Sequence, residues 1–273
     1  MFSGLLVKYE RLNPMFSSQK SVPIIGDMMV SRWLFEALVV NQSINNEFDQ
    51  HFFLANVRWS EANFRKNYWI PEMESALLVL ESQYGIELDE KGFKKIKLVV
   101  NEIKKLPQKE LQHLKLDLAE FEKGNYTKAE LTGLKAFLNL IESYYSRTLA
   151  SAINKKDLAF QEVEMNLPEG MTYEEFRDAY QNEQLNDYLN NKTNLTKVII
   201  SKNEIINKEN QTFQIPRDLN PHYYAPMKLF VHRYYPTLNY NLVVMWVTII
   251  VLGICLYFNI LPRLLNWRKI SSN

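Results

Sequence analysis

LVVMWVTIIVLGICLYFNIL, from Leu242 to Leu261, is a run of twenty residues without a formal charge. Wound as a helix at about 1.5 Å per residue, it spans roughly the 30 Å of a bilayer's hydrocarbon. A buried helix of a soluble protein is the competing reading, but such a helix shows a polar stripe, and Thr248, Gly253 and Asn259 do not line one up. The run therefore predicts one C-terminal transmembrane helix over about 242–261. HRYYPTLNYN precedes it, with Tyr234, Tyr235 and Tyr240 as interfacial aromatics. PRLLNWRK follows, with Trp267 as an anchor and Arg263, Arg268 and Lys269 as a basic cluster. By the positive-inside rule this tail faces the cytoplasm, against a weaker opposing signal from Lys228 and Arg233.

Working outward, the next apolar stretch is VPIIGDMMVSRWLFEALVVNQ, Val22 to Gln42, which carries Asp27, Arg32 and Glu36. Gly26 and Asp27 after Pro23 predict a helix start with Asp27 as N-cap. Arg32 and Glu36 stand four apart on one face, where they can pair, while Met28, Phe35, Leu38 and Val39 occupy the opposite arc. Three charges make a lipid-facing span untenable. Ionisable groups at membrane depth persist when they pair and face protein or a water-filled cavity, as in a re-entrant or interfacial helix. An amphipathic helix of a soluble domain, or one lying flat on a membrane, fits the same pattern. At the very start, FSGLLV is too short to cross a bilayer but fits the last turns of a membrane helix, and MFSGLLVKYERLNP has no cleavable-signal pattern.

Between these ends, from Asn45 to about Pro221, the chain is charged and helical in pattern, without a Gly/Ser-rich or Pro-rich linker. TKAE, Thr127 to Glu130, is a capping box opening a helix whose face is Leu134, Phe137, Leu138, Ile141 and Tyr145. TYEE, Thr172 to Glu175, opens another toward Leu189. Pro71 begins a helix through Leu77, Leu78 and Leu80 that Gly85 can stop. Pro107 begins one through Leu111, Leu114, Leu118 and Phe121 that Gly124 can stop. Four such helices predict a bundle. NLTKVIISKNEIINKENQTF reads as a strand or hairpin, and the structure of 191–220 stays open.

Reactive chemistry is scarce. The chain holds 273 residues with a net charge of +1, so no global field recruits nucleic acid. Its eight glycines form neither GxxxxGK[ST] nor GxGxxG, so no nucleotide-phosphate cradle is present. His51, His113, His222 and His232 stand on different elements without metal-ligand spacing. Cys255 is the sole cysteine, which excludes an internal disulfide and a CxxC site. Acidic pairs such as Asp89 and Glu90, or Glu174 and Glu175, fall at helix starts, where they complement the macrodipole. No enzyme is indicated, and no cofactor or metal is expected in this chain.

Two islands resemble a known family. GLLVKYERLNP…VPIIGDMMVSRWLFEALVVNQSINNEF is similar to the segment after the fifth membrane helix of ABCG-like, or white-type, ATP-binding-cassette transporters, especially the large versions of Bacteroidetes-type bacteria. The pattern RWxFEALxVN is matched by Arg32, Trp33, Phe35, Glu36, Ala37, Leu38, Val40 and Asn41, with Ser43 in place of the family's phenylalanine and Asn45 in the asparagine-bearing tail that follows. HYYAPMKLF, His222 to Phe230, with the final span, resembles the run into the sixth helix. The islands cover about a third of the chain. The resemblance implies a permease end in a bacterial inner membrane: 1–44 as the end of a membrane helix and a re-entrant segment, 45–221 as an extracytoplasmic helical insert, 222–273 as an interfacial segment, last helix and cytoplasmic tail. It implies that the nucleotide-binding domain, with its ATP and magnesium, and the first five membrane helices lie elsewhere, and that the full assembly is dimeric. Asp27, Arg32 and Glu36 are then structural candidates in the outer roof, with membrane lipid and the remaining transporter segments as partners. The rival class is a tail-anchored membrane protein, with a cytoplasmic helical interaction domain and an external C-terminus, in which SRWLFEALVV is an ordinary core helix.

Overall fold

The computed structural model describes Val22, residues 24–217 and residues 221–259. The expectations for FSGLLV, Pro23 and the basic tail from Arg263 onward lie outside them. The protein is mainly helical, with four short strands in two antiparallel hairpins among the described residues. The described residues form two compact units, one made of those up to Ile44 together with those from Ile215 on, the other of Asn45–Gln214.

The first unit begins with α1 (Ile24–Asp27) and α2 (Val30–Ile44). The second contains α3 (Phe53–Phe64), a π turn over Arg65–Trp69 and α4 (Ile70–Ser82) in one continuous helical run. Pro71 therefore does not begin a fresh helix. A proline ring collides with the carbonyl four residues back, and the wide π turn, in which the Ile70 amide donates to the Arg65 carbonyl five residues back, relieves that collision without breaking the run.

α5 (Glu90–Lys104) starts at Asp89, whose carboxylate accepts from the Gly92 amide at 2.7 Å. The single helix expected after Pro107 is two short ones, α6 (Gln108–Leu111) and α7 (Leu118–Glu122). Between them the chain makes a turn over Gln112 and His113 and then runs without regular structure, and the Asp117 side chain opens a new helix by accepting from the Ala119 and Glu120 amides. Leu114 and Leu116 of this connector pack against the core with Leu111 and Leu118. Gly85 and Gly124 stand where the stops were expected, both in the left-handed region, with φ of +80° and +88°.

The Thr127 capping box is formed in both directions and opens α8, which continues past the periodic face to cover Lys128–Met165. At 38 residues it is about 57 Å long. The Thr172 box is also complete and opens α9 (Tyr173–Tyr180), after which Asn182 caps a separate helix, α10 (Glu183–Leu189). The β-branched segment is a hairpin, β1 (Val198–Ser201) and β2 (Glu204–Asn207), turned by Lys202 and Asn203 with positive φ at both.

The core of this unit gathers Trp69, Met73, Leu77 and Leu80 from the first run, Ile96, Val99 and Ile103 from α5, Phe121 from α7, and Leu131, Leu134, Leu138 and Ile141 from α8. Glu102 is buried within it. Its carboxylate accepts from Trp69 Nε1 at 2.7 Å, from the Ile205 amide at 2.9 Å and from Lys105 Nζ at 2.6 Å, fastening the β1–β2 hairpin to α5. A smaller apolar cluster, Phe48, Phe52, Ala159 and Val163, holds the far part of α8.

The first unit is completed by β3 (Met227–Phe230), β4 (Arg233–Pro236) and α11 (Thr237–Tyr257). The second hairpin was not legible in advance, because its turn residues are Val231 and His232, both at positive φ. α11 is long and apolar enough to span a membrane, and it starts five residues earlier than the span expected from Leu242. Replacing Glu102 with alanine strands the donors of Trp69 and Ile205, and a loss of about 3 kcal/mol is expected. Thr127→Ala, which removes only a cap, is expected to cost about 1 kcal/mol. Thermal unfolding of the two variants beside the parent protein measures both.

Candidate functional site

α2 has its charges inside. Arg32, Glu36, Ala37, Val40, Ser43 and Ile44 are buried, while Leu34 and Leu38 are exposed. Burying an ionised side chain costs several kcal/mol unless partners replace its water, so every charge on that face requires an explanation.

The partners converge from three elements of the same unit. Glu36, fully buried, receives Lys228 Nζ from β3 on one carboxylate oxygen at 2.5 Å. Its other oxygen accepts from Asn241 Nδ2 on α11 at 3.0 Å and faces Arg32 Nη2 at 3.6 Å. Asn241 uses the same amide nitrogen to reach the Trp33 carbonyl at 3.0 Å, which sets α11 against α2. Arg32 lies over the Trp33 ring at 4.0 Å and near the Tyr223 ring at 5.5 Å, and its Nη1 meets Asp27 at 3.2 Å. The four charged side chains, Asp27, Arg32, Glu36 and Lys228, sum to zero.

Asp27 does not act as the N-cap of α2. It ends α1, three residues before α2 begins, and so stands outside the capping position. Its carbonyl accepts from Trp33 Nε1 at 2.7 Å, and its carboxylate serves Arg32 instead. Arg32 and Glu36 approach each other as their spacing implied. Lys228 and Asn241, which complete the cluster, were not read from the sequence. Lys228 counted only as a charge flanking the span, since nothing local marks it as the partner of a residue 192 positions away.

Burial alone raises the Glu36 carboxyl, but Lys228 and Arg32 outweigh burial and hold it below the usual carboxylate range. Burial also pushes the Lys228 ammonium down, against the pull of Glu36. The base of the β3–β4 hairpin is tied to the start of α11, where Thr237 donates from its amide to the Pro226 carbonyl at 3.1 Å and from Oγ1 to the Ala225 carbonyl at 2.5 Å.

This arrangement locks α2, β3 and α11 into one register by charge and hydrogen bonding. Among the described residues, no group of three His, Cys, Asp or Glu side chains is placed to hold a metal ion. Comparison of the chain with protein-family models, with curated proteins and with solved structures finds no match.

Lys228→Met leaves Glu36 buried without its cation and is expected to lower stability by about 3–5 kcal/mol, whereas pairing it with Glu36→Leu is expected to recover much of that loss. Both are read by thermal unfolding in detergent micelles. The depressed Glu36 carboxyl makes a stabilising contribution that is fully present above its ordinary value of 4.5 and is lost as pH falls below it, through the folded value. A pH series of unfolding midpoints checks the sign, and Glu36→Gln is expected to flatten that part of the curve.

Proposed function

We propose that this chain is the permease end of an ATP-driven exporter of the ABCG-like class, supplying part of the outer roof and the last membrane helix of the translocation path. The observation that carries the reading is the inverted burial of the first unit. α2 turns Arg32 and Glu36 inward and Leu34 and Leu38 outward. Along α11 only Thr237 and Asn241 are buried, while Leu242, Val243, Trp246, Val247, Ile249 and Ile250 are exposed. Water selects the opposite arrangement, and hydrocarbon selects this one.

On this reading α11 crosses the inner membrane of a bacterium with its C-terminal end in the cytoplasm. α2 is the re-entrant or interfacial helix at its outer end, and Asn45–Gln214 belongs to the extracytoplasmic insert. The Asp27, Arg32, Glu36 and Lys228 cluster holds the roof together rather than contacting substrate. ATP and magnesium are handled by nucleotide-binding segments outside this chain, in a dimeric assembly. In the tail-anchored alternative α2 is an ordinary core helix.

The two readings demand opposite sidedness. A single cysteine at Ser143, exposed on α8, with Cys255→Ala, is treated in intact cells with a membrane-impermeant maleimide. Labelling without permeabilisation is the expected result. Labelling only after permeabilisation places the insert in the cytoplasm and removes the exporter reading in favour of the tail-anchored one.

A further inference from the structure

The two hairpins of this protein have the same construction, two four-residue strands joined by a two-residue turn with positive φ at both positions. Such turns are best served by Asn, Asp or Gly. The β1–β2 hairpin respects this in part with Lys202 and Asn203. The β3–β4 hairpin uses Val231 and His232, with φ of 46° and 61°. A β-branched residue in the left-handed region is sterically opposed, so fold stability does not account for Val231.

Its surroundings point to a reason. Val231 is 68% exposed and Phe230 is 53% exposed, and Tyr234 and Tyr235 are exposed along β4. The hairpin's lysine, Lys228, is turned inward onto Glu36. The exposed part is therefore apolar and aromatic, relieved only by His232 and Arg233, which is the composition of a segment seated where acyl chains meet headgroups.

The position of the tip agrees. At the base of the hairpin the Thr237 amide is bonded to Pro226. At the tip the Phe230 ring stands edge-on to Tyr240, with centroids 6.1 Å apart. The hairpin thus folds alongside the first turn of α11 and brings its tip next to the residues immediately before Leu242, where the span expected from the sequence begins. A helix that crosses a bilayer has its interface at that level.

We infer that the tip of this hairpin, Phe230 to Arg233, is an interfacial lipid anchor. Phe230 and Val231 seat in the outer acyl boundary, Arg233 pairs with lipid phosphate, and Tyr234 and Tyr235 lie at headgroup level. The inference rests on the reading of α11 as a membrane span, and it assigns the strained turn a purpose: an apolar side chain is retained at a position that the backbone alone would give to asparagine or glycine.

The test places an environment-sensitive fluorophore on a cysteine at Val231 in the full chain, with Cys255→Ala, reconstituted in phosphatidylcholine and phosphatidylglycerol vesicles. A second protein carries the label at Val247 on α11, and a third at Phe230, so that a label disturbing the turn does not decide the result. The expected outcome is blue-shifted emission at 231 and 230, quenched by lipids bearing a nitroxide near the headgroup and protected from aqueous iodide. Val247 should instead respond to a nitroxide deep in the acyl chain. Iodide quenching at 231 and 230 with a lipid-buried Val247 overturns the anchor and leaves the span standing. Iodide quenching at Val247 as well overturns both.

Discussion

Glu36 is the constraint around which the first unit is organised. A carboxylate fully removed from water must be met by cations and donors, and no residue of α2 other than Arg32 can supply one. The remaining partners come from elsewhere in the unit. Lys228 can reach Glu36 only if residues around it form a strand against α2, and Asn241 only if α11 begins with that face turned inward. The hairpin, the entry angle of α11 and the two bonds from Thr237 to Ala225 and Pro226 are thereby parts of one solution. A buried ion pair adds little net stability over a well-packed apolar alternative, so its value here is the register it dictates.

The second unit meets a similar demand by different means. Glu102 is buried among apolar side chains and is satisfied by an indole, a backbone amide and one lysine rather than by a pair of cations. There the surrounding pattern is that of a water-soluble bundle, with Leu134, Phe137, Leu138 and Ile141 inward on α8. In the first unit α2 encloses Arg32 and Glu36 beside Ala37 and Val40, while α11 leaves most of its apolar side chains exposed. That contrast between two parts of one chain is the physical content of the exporter proposal.

Features set by neighbouring residues were legible in the sequence. The Thr127 and Thr172 capping boxes, the glycine stops at Gly85 and Gly124 and the approach of Arg32 to Glu36 need only a few residues of context, and they fold as their spacing dictates. Pro71 was misread because the π turn that accommodates it is a relation among backbone carbonyls, with no residue type of its own. The helix drawn from Pro107 to Gly124 followed a leucine spacing that a broken helix with an irregular connector also satisfies, once Asp117 offers a second start. Three of the four charges of the cluster, Asp27, Arg32 and Glu36, were visible. Lys228 and Asn241 were not, because pairing across some 200 positions leaves no local periodicity, and a Val-His turn hides the strand that delivers the lysine.

α8 is gripped at two places. Leu131 to Tyr145 lie in the main core, and Ala159 and Val163 in the separate cluster with Phe48 and Phe52. Between them only Ala152 is fully covered, while Ile153 and Leu158 are exposed. Cooperative opening follows buried contacts, so this single rod carries two free energies of local unfolding instead of one. Amides of its first half are expected to exchange with solvent as the main core opens, and those of the distal half as the small aromatic cluster opens, so that the helix joins two cooperative blocks although its backbone is unbroken.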